Sequence, residues 1–415
     1  MKEYMNKITG IISNICRIWI DETRRIFRDE GLLIFTILLP LLYPLLYSWI
    51  YNNEVVRDVP VALVDNSNSK LSRELASKLD ASPDIQIAYR CGNLEEAQRL
   101  VGLQDVYGIV YIPENFETQI NRMEQGTVSI YCNMALMLTY KAIYQTATAV
   151  IADMNSEIQI ALSGNYTDRE DEITASPINI EDVAMFNTTG GYGSFILPGV
   201  LILILQQVML LSIGMRNGTI RERRSSVAIT EKDGNTAGLI SVVAGKTLCY
   251  LALFVVLATY VLLAIPRIFN FVHTIHAGDF ALFILPYLLA CIFFAMTVSC
   301  FIKERENVML LVVFTSVPLL FLSGISWPAS NMPEFWKYLS YIFPSTFGCR
   351  GYMNLCNAGT LDAIAPEMRI LTIQTVIYFI LASLAALMES KRNEASSMWL
   401  RCNVSVVFVH LFWKR

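Results

Sequence analysis

The chemically most distinctive segment is a dense run of charges that separates two long apolar stretches. It holds four consecutive charged residues, Arg221, Glu222, Arg223 and Arg224. Thr230 follows in the same segment, and Lys246 stands where the next apolar stretch begins. Guanidinium groups bind carboxylates and phosphates through paired hydrogen bonds, so this run could bind a charged partner surface. Alternatively, its basic residues only set the orientation of neighbouring membrane helices.

No catalytic or metal-binding set accompanies this run. The sequence around Lys246 resembles a phosphate-binding loop, but Ile240 replaces the first glycine of that motif and no strand precedes it. The nine cysteines form no CxxC pair, so neither a zinc site nor a thioredoxin-like motif is indicated. The long polar segment 52–194 contains no histidine, which excludes a Ser/His/Asp or Cys/His site there. We therefore predict that the chain binds no cofactor and is not itself an enzyme.

A second set of polar and helix-breaking residues lies inside apolar sequence. Gln206 and Gln207 stand in the middle of an apolar stretch, where an amide facing lipid would lack hydrogen-bond partners. Two hypotheses account for them: helix packing, including a dimer seam, or contact with a cargo. Helix breakers follow at Ser323, Gly324, Pro328 and Pro344. They predict an outer re-entrant hairpin over 324–356, with short helices over 333–342 and 345–355.

Six stretches without Asp, Glu, Lys or Arg must position these residues. They cover residues 31–53, 195–215, 247–266, 280–302, 307–333 and 370–388. Each has the roughly 20 residues that a helix needs to cross a bilayer, and each is apolar on all sides. Charged residues make up 16% of the chain, compared with about a quarter in soluble domains. The sequence predicts an α-helical polytopic membrane protein with about six transmembrane helices, the first over 31–51 and the others within 195–390.

The distribution of basic residues predicts the orientation of these helices. Nineteen Lys and Arg residues lie at the termini and in segments 216–246 and 303–306, against four in the short connections on the other side. Because short cytoplasmic loops are enriched in Lys and Arg, we expect both termini in the cytoplasm. Residues 1–30 are predicted to form an amphipathic helix in the cytoplasmic interface, with packing on a partner protein as the alternative. Residues 391–415 would form a cytoplasmic tail.

Residues 52–194 alternate between strand and helix patterns. Strands are indicated at 59–64, 85–89, 107–112 and 127–132, and helices at 70–79, 94–102 and 114–124. This alternation predicts an α/β domain with a largely parallel sheet, inserted between the first and second transmembrane helices. Its twenty acidic residues outnumber nine basic ones, and long domains cross membranes regardless of charge, so we place it outside the cytoplasm. A long helix over 134–162 and a loop over 164–193 would lead back to the membrane.

Several motifs, in the same order along the chain, resemble those of type-2 ABC transporter permeases. The run from Thr219 to Arg224, with the later Gly245 and Lys246, resembles the coupling segment of that family. The residues that follow Ala62 resemble the beginning of its external domain, and segments 321–328, 331–335 and 343–350 resemble its re-entrant hairpin. The coupling segment departs from the family pattern because Arg224-Ser-Ser replaces the usual Glu-x-Gly-Thr and no proline follows Thr230.

The resemblance implies a permease that pairs with a second copy or a paralogue and with cytoplasmic ATP-binding subunits. Those subunits would hold ATP and magnesium, and their closure would be passed on through the loop around Glu222. A cargo would move outward across the bacterial cytoplasmic membrane, with a periplasmic adaptor as a further partner, membrane lipid around the helices and no nucleic acid.

Two alternatives belong to other classes of protein. An ion-coupled secondary transporter predicts charged or strongly polar groups near the midplane and internal repeats, which the sequence lacks. A membrane-anchored enzyme or sensor would act through its external domain, where catalysis would have to rest on carboxylates alone.

Overall fold

The structure is a computed structural model that describes residues 2–164, 166–176, 186–187, 190–222, 236–271 and 275–412. The chain divides into two compact units. The helical unit comprises Met1–Glu54 and Met185–Arg415, and the inserted unit comprises Val55–Ala184.

Within the described residues, six helices are long and apolar enough to cross a membrane. They are span 1 (Glu30–Ile50), span 2 (Tyr192–Glu222), span 3 (Ile240–Ile268), span 4 (Ala277–Ser299), span 5 (Arg305–Leu322) and span 6 (Leu361–Glu389). Each contains most of one charge-free stretch, so the predicted fold class is confirmed. Span 2 is the central helix, because it packs against spans 1, 4 and 5 and most of its residues are buried.

Spans 1 and 3 each contain a π-helical turn, at Ile34–Leu38 and Tyr260–Ala264. A proline follows each turn, Pro40 in span 1 and Pro266 in span 3. Proline has no N–H, and its ring collides with the carbonyl group four residues earlier, so regular α-helical bonding is interrupted there. In each span the proline thus follows a wider turn, in which hydrogen bonds join residues five positions apart.

The N-terminal helix α1 covers Lys2–Arg28 and packs along span 3. One side faces the helical unit, where Glu22 and Ile26 are buried. An exposed apolar side carries Ile12, Ile20 and Phe27, and an exposed basic side carries Arg17, Arg24 and Arg28. The predicted amphipathic helix is present, and the structure adds a third side that is packed against protein.

The inserted unit contains, in its described part, a four-stranded sheet. Its strands are β1 (Val59–Asp65), β2 (Ile85–Arg90), β3 (Gly108–Ile112) and β4 (Ser129–Cys132). Their order is β2-β1-β3-β4, and β1 is parallel to both β2 and β3, whereas β4 is antiparallel to β3. The predicted α/β domain with a largely parallel sheet is therefore confirmed.

Helices pack on both faces of this sheet. The inserted unit has helices α2 (Lys70–Asp80), α3 (Leu94–Leu103), α4 (Phe116–Asn121), α5 (Met137–Ser163) and α6 (Asp168–Ala175). One face buries Leu63 together with Leu75 of α2 and Ile143 of α5. The other face buries Val64 together with Ala97 of α3. Successive side chains of β1 are thus buried on opposite faces of the sheet, because side chains alternate between the two faces along a strand.

Helix α6 lies within the segment 164–193 that was predicted to be a loop. The hydroxyl of Thr167 accepts a hydrogen bond from the N–H of Glu170, and the Glu170 side chain accepts one from the N–H of Thr167. This reciprocal pair is a capping box, which satisfies N–H groups at the start of a helix. The prediction was wrong for these eight residues because the polar composition concealed the capping pattern.

Span 5 ends at Leu322, although its charge-free stretch extends to residue 333. Gly324 has a φ of +87°, a conformation that glycine adopts without strain. Two short helices follow, α7 (Glu334–Ser340) and α8 (Pro344–Ala358). They occupy the positions predicted for short helices, and re-entry of this segment into the membrane stays a prediction.

The last helix covers Ala365–Phe412 and continues beyond the end of span 6. The segment 391–415 is therefore helical as far as Phe412. Its location in the cytoplasm stays a prediction.

Candidate functional site

The charged end of span 2 lies against the segment that connects spans 4 and 5. Residues 300–305 of that segment are referred to as the charged turn. Span 2 ends at Glu222, and the side chains of Arg221 and Glu222 both bind at the charged turn or beside it. Three other predicted site residues, Arg223, Arg224 and Thr230, lie outside the described residues.

Arg221 binds the carboxyl end of span 4. Its Nη1 donates to the carbonyl oxygen of Ser299 at 2.8 Å and also to that of Ile302. Carbonyl groups in the last turn of a helix lack partners within the helix, and the helix dipole makes this end negative, so a guanidinium is favoured there. Nε of Arg221 also lies 2.9 Å from Oε1 of Glu389 at the end of span 6. Arg221 therefore connects spans 2, 4 and 6.

Glu222 binds the amino end of span 5. Its Oε1 accepts a hydrogen bond from the backbone N–H of Arg305, the first residue of that helix. The amino end of a helix is positive and its first N–H groups lack partners within the helix, so a carboxylate is favoured there. The neighbours Arg221 and Glu222 thus complement the opposite ends of the two helices that the charged turn joins.

The contacts of Arg221 and Glu222 at the charged turn are referred to as the network. The side chain of Arg305 extends the network to span 1. Its Nη1 and Nη2 lie 3.0 and 2.9 Å from the two carboxylate oxygens of Asp29. Paired bonds between guanidinium and carboxylate are stronger and more directional than a single bond. Asp29 is also the N-cap of span 1, because its Oδ1 accepts the N–H of Leu32 at 3.1 Å. Arg305 therefore joins the start of span 1 to the start of span 5.

Two glycines permit this close approach. A Cβ atom at Gly218 of span 2 would lie 2.9 Å from both the backbone N and the Cα of Arg305, too close for a real side chain. A Cβ atom at Gly31 of span 1 would lie 2.5 Å from Nη2 of Arg305. The charged turn can therefore rest directly on span 2 because Gly218 lacks a side chain, whereas a Cβ atom at Gly31 would displace only the flexible end of the Arg305 side chain.

A buried ion pair joins α1 to span 2. Arg216 of span 2 is 8% exposed and Glu22 of α1 is 6% exposed. Nε of Arg216 lies 3.2 Å from Oε1 of Glu22, and Nη2 donates to Oε2 at 3.3 Å. Since an isolated charge is costly to bury, each group requires the other.

Lys246 belongs to the network around Arg221 and Glu222. Its Nζ donates to Oδ1 of Asn217 at 3.2 Å, and Nδ2 of Asn217 donates to the hydroxyl of Ser299 at 2.7 Å. Ser299 is the residue whose carbonyl oxygen binds Arg221. The structure thus brings together Arg221, Glu222 and Lys246, which are 25 or fewer positions apart in the predicted segment.

Residues 31–384, nearly the whole chain, match the family model described as ABC-2 family transporter protein. The chain belongs to this family. Its resemblance to the type-2 ABC transporter permeases is thereby confirmed, and the chain is a membrane component of an ABC transporter. A comparison with curated proteins found no match. Family membership implies association of the permease with ATP-binding subunits, and it supports neither the secondary transporter nor the anchored enzyme.

The permease holds Gln206 and Gln207 in contact with its own chain. Gln206 is 1% exposed, and its Oε1 accepts the N–H of Ser345 in α8 at 2.6 Å. Nε2 of Gln207 lies 3.5 Å from the hydroxyl of Thr315 in span 5. Both amides therefore contact neighbouring helices of the permease, and their part in a dimer seam or a cargo pathway stays a prediction.

Replacing Gln206 with leucine is expected to lower the free energy of unfolding by about 1–3 kcal/mol, because the buried N–H of Ser345 would lose its acceptor. Thermal unfolding of the permease in lipid nanodiscs would measure this effect. Gln207→Leu is the matched control and should cost less, since its contact is longer. Unchanged stability of Gln206→Leu together with an altered range of cargo would instead favour contact with the cargo.

The predicted helix breakers lie elsewhere in the permease. Ser323 is buried and its hydroxyl donates to the carbonyl oxygen of Leu320 at 2.7 Å. Gly324 and the exposed Pro328 follow it, at the opposite end of span 5 from the charged turn. Pro344 is buried and begins α8, the helix that contacts Gln206. Their part in a substrate pathway stays a prediction.

Sequence reasoning missed several of these charged residues, namely Glu22, Asp29, Arg216, Arg305 and Glu389. Most of them border the charge-free stretches: Arg216 follows one directly, and Glu389 follows another. Charges at such borders are expected to lie at a similar depth, near the membrane surface. Their positions at these borders could have identified these residues as one group of charges, although they could not have identified which residues bind each other.

Proposed function

We propose that this permease is part of an exporter in which ATP hydrolysis on partner subunits moves a cargo outward across the bacterial cytoplasmic membrane. The observation that carries the proposal is the connection of span 2 to spans 4, 5 and 6 through Arg221 and Glu222. A displacement of the segment after Glu222 would therefore reach most of the helical unit. A membrane subunit driven by a separate ATPase requires such a connection.

The distribution of charge supports the proposed orientation. Nineteen basic residues flank the spans at the end that carries the network, against four at the other end. By the positive-inside rule, this distribution supports a cytoplasmic position for the network and both termini. The inserted α/β domain then lies outside, and the cargo would leave on that side.

The proposed partners follow from the same arrangement. The family match supports ATP-binding subunits. In this proposal those subunits would hold ATP and magnesium, and this chain would bind no cofactor. We assign their contact to the segment that contains Arg223, Arg224 and Thr230. A second permease, either another copy or a paralogue, would complete the transporter, and membrane lipid would surround the spans. A periplasmic adaptor would be a further partner of the inserted domain.

The proposal is tested by purifying the tagged permease from its native cells with the proteins bound to it. We expect a soluble ATP-binding protein to co-purify and to hydrolyse ATP faster when the permease is present in lipid. The double substitution Glu222→Ala and Arg223→Ala is expected to abolish this stimulation. Glu306→Ala, at an exposed position of the first turn of span 5, is the matched control and should preserve it. Stimulation that survives the double substitution would contradict the assignment of this segment.

A further inference from the structure

The two charged residues at the end of span 2 are already occupied by contacts within the permease. Arg221 binds the carbonyl group of Ser299 at the end of span 4, that of Ile302 in the charged turn, and the carboxylate of Glu389. Glu222 binds the first N–H of span 5. These charge-assisted bonds are among the stronger hydrogen bonds in proteins, so they hold both side chains at the helix ends that the charged turn joins.

We propose that Arg221 and Glu222 are positioning residues that make the charged turn move with span 2, and are not contacts for the ATP-binding subunit. This inference rests on the proposed function and specifies how movement enters the helical unit. The ATP-binding subunit would displace the segment after Glu222, and Arg221 and Glu222 would transfer that displacement to the ends of spans 4 and 5.

The complementarity of charge and helix ends explains why this pair can hold the turn. A positive group binds the negative end of span 4, and the adjacent negative group binds the positive end of span 5. Exchange of the two charges would repel both ends. The order Arg221-Glu222 therefore matches the direction in which the chain passes through the turn.

The backbone contact at Gly218 makes the connection rigid. Because Gly218 has no side chain, the backbone of span 2 lies directly against the backbone of Arg305. A packed backbone contact of this kind transmits displacement, because closely packed groups cannot be compressed further. The pair between Arg305 and Asp29 then carries the displacement to the junction of α1 and span 1.

Hydrogen exchange measured by mass spectrometry tests this inference on the purified complex. Exchange is compared, without nucleotide and with ATP plus vanadate, for peptides covering residues 223–235 and 300–307. In the wild type we expect nucleotide to change the exchange of both peptides. The second peptide contains the N–H of Arg305, which Glu222 protects directly.

Two variants separate transfer of movement from binding of the partner. Gly218→Ala places a methyl group against the backbone of Arg305, and Glu222→Gln removes the charge while leaving an oxygen that can accept the N–H. Each is expected to keep the change at 223–235 but to reduce the change at 300–307 by about fivefold or more, within the usual range of coupling between sites. Gly278→Ala, where a Cβ atom meets nothing within 4 Å, and Glu306→Gln are the matched controls and should keep both changes.

The other outcomes are distinguishable. A wild-type complex in which nucleotide alters 223–235 but never 300–307 would overturn the inference and leave the proposed function intact. Loss of the ATP-binding subunit from the Glu222→Gln complex would show that this residue is a partner contact, which also overturns it. Failure of any ATP-binding protein to co-purify with the wild type would contradict the proposed function itself.

Discussion

Replacing Arg216 with methionine is expected to lower the free energy of unfolding of the permease by about 3–5 kcal/mol. Arg216 and Glu22 are almost fully buried and lie 3.2 Å apart. Methionine would leave the carboxylate of Glu22 buried without its counter-charge, so the cost of removing that carboxylate from water would no longer be offset. Denaturant-induced or thermal unfolding in lipid nanodiscs would measure the loss.

The double variant Glu22→Leu and Arg216→Met distinguishes the stability contributed by the ion pair from the cost of leaving one charge buried alone. Because it removes both charges, its stability should be much closer to that of the wild type. Arg17→Met, on the exposed basic side of α1, is the matched control and should change stability by no more than about 0.5 kcal/mol. If Arg216→Met cost no more than Arg17→Met, apolar contacts alone would hold α1 to the bundle.

Replacing Tyr287 with alanine is the second large effect, with an expected loss of about 3–5 kcal/mol. Tyr287 of span 4 is fully buried, and its ring is stacked on that of Phe283 with the ring centres 6.3 Å apart. A Cβ atom at Gly348 of α8 would lie 2.3 Å from the ring of Tyr287. Alanine would leave a cavity between span 4 and α8 that these helices can fill only partly. Since the spans stay in lipid when they separate, lost packing accounts for most of the cost.

Tyr287→Phe is the control for the hydroxyl group. The hydroxyl donates to the carbonyl oxygen of Ile202 in span 2 at 2.7 Å, and its removal should cost about 0.5–1.5 kcal/mol. The same thermal unfolding assay in nanodiscs compares the two variants. Equal losses for phenylalanine and alanine would mean that the hydrogen bond, and not the volume of the ring, stabilises this part of the bundle.

The sequence predicted the secondary structure well where local signals mark both ends of an element. The strands at Val59–Asp65 and Ile85–Arg90 lie within one residue of their predicted bounds, because β-branched runs and turn residues delimit them locally. Helix α6 was missed, since its capping box is short and lies in polar sequence. The antiparallel direction of β4 was also not predicted, because strand direction depends on how the chain returns to the sheet.

The candidate site was predicted only in part. Arg221, Glu222 and Lys246 lie in one cluster of contacts, and their predicted role in coupling to an ATP-binding subunit stays a prediction. Their partners are distant in sequence: Arg221 and Glu389 are 168 positions apart, and Arg305 and Asp29 are 276 apart. Helix packing brings these residues together, and no local pattern encodes which of the border charges will meet.

By itself, the sequence determined which segments leave water and how many helices they form. The transfer of a helix into lipid depends on the summed hydrophobicity of about 20 adjacent residues, which is a local property. Only the tertiary structure decided that Glu22 pairs with Arg216 and that the charged turn rests on Gly218. A charge at a helix end is satisfied by whichever opposite charge or helix end packs beside it, and that neighbour is set by the contacts of the whole bundle.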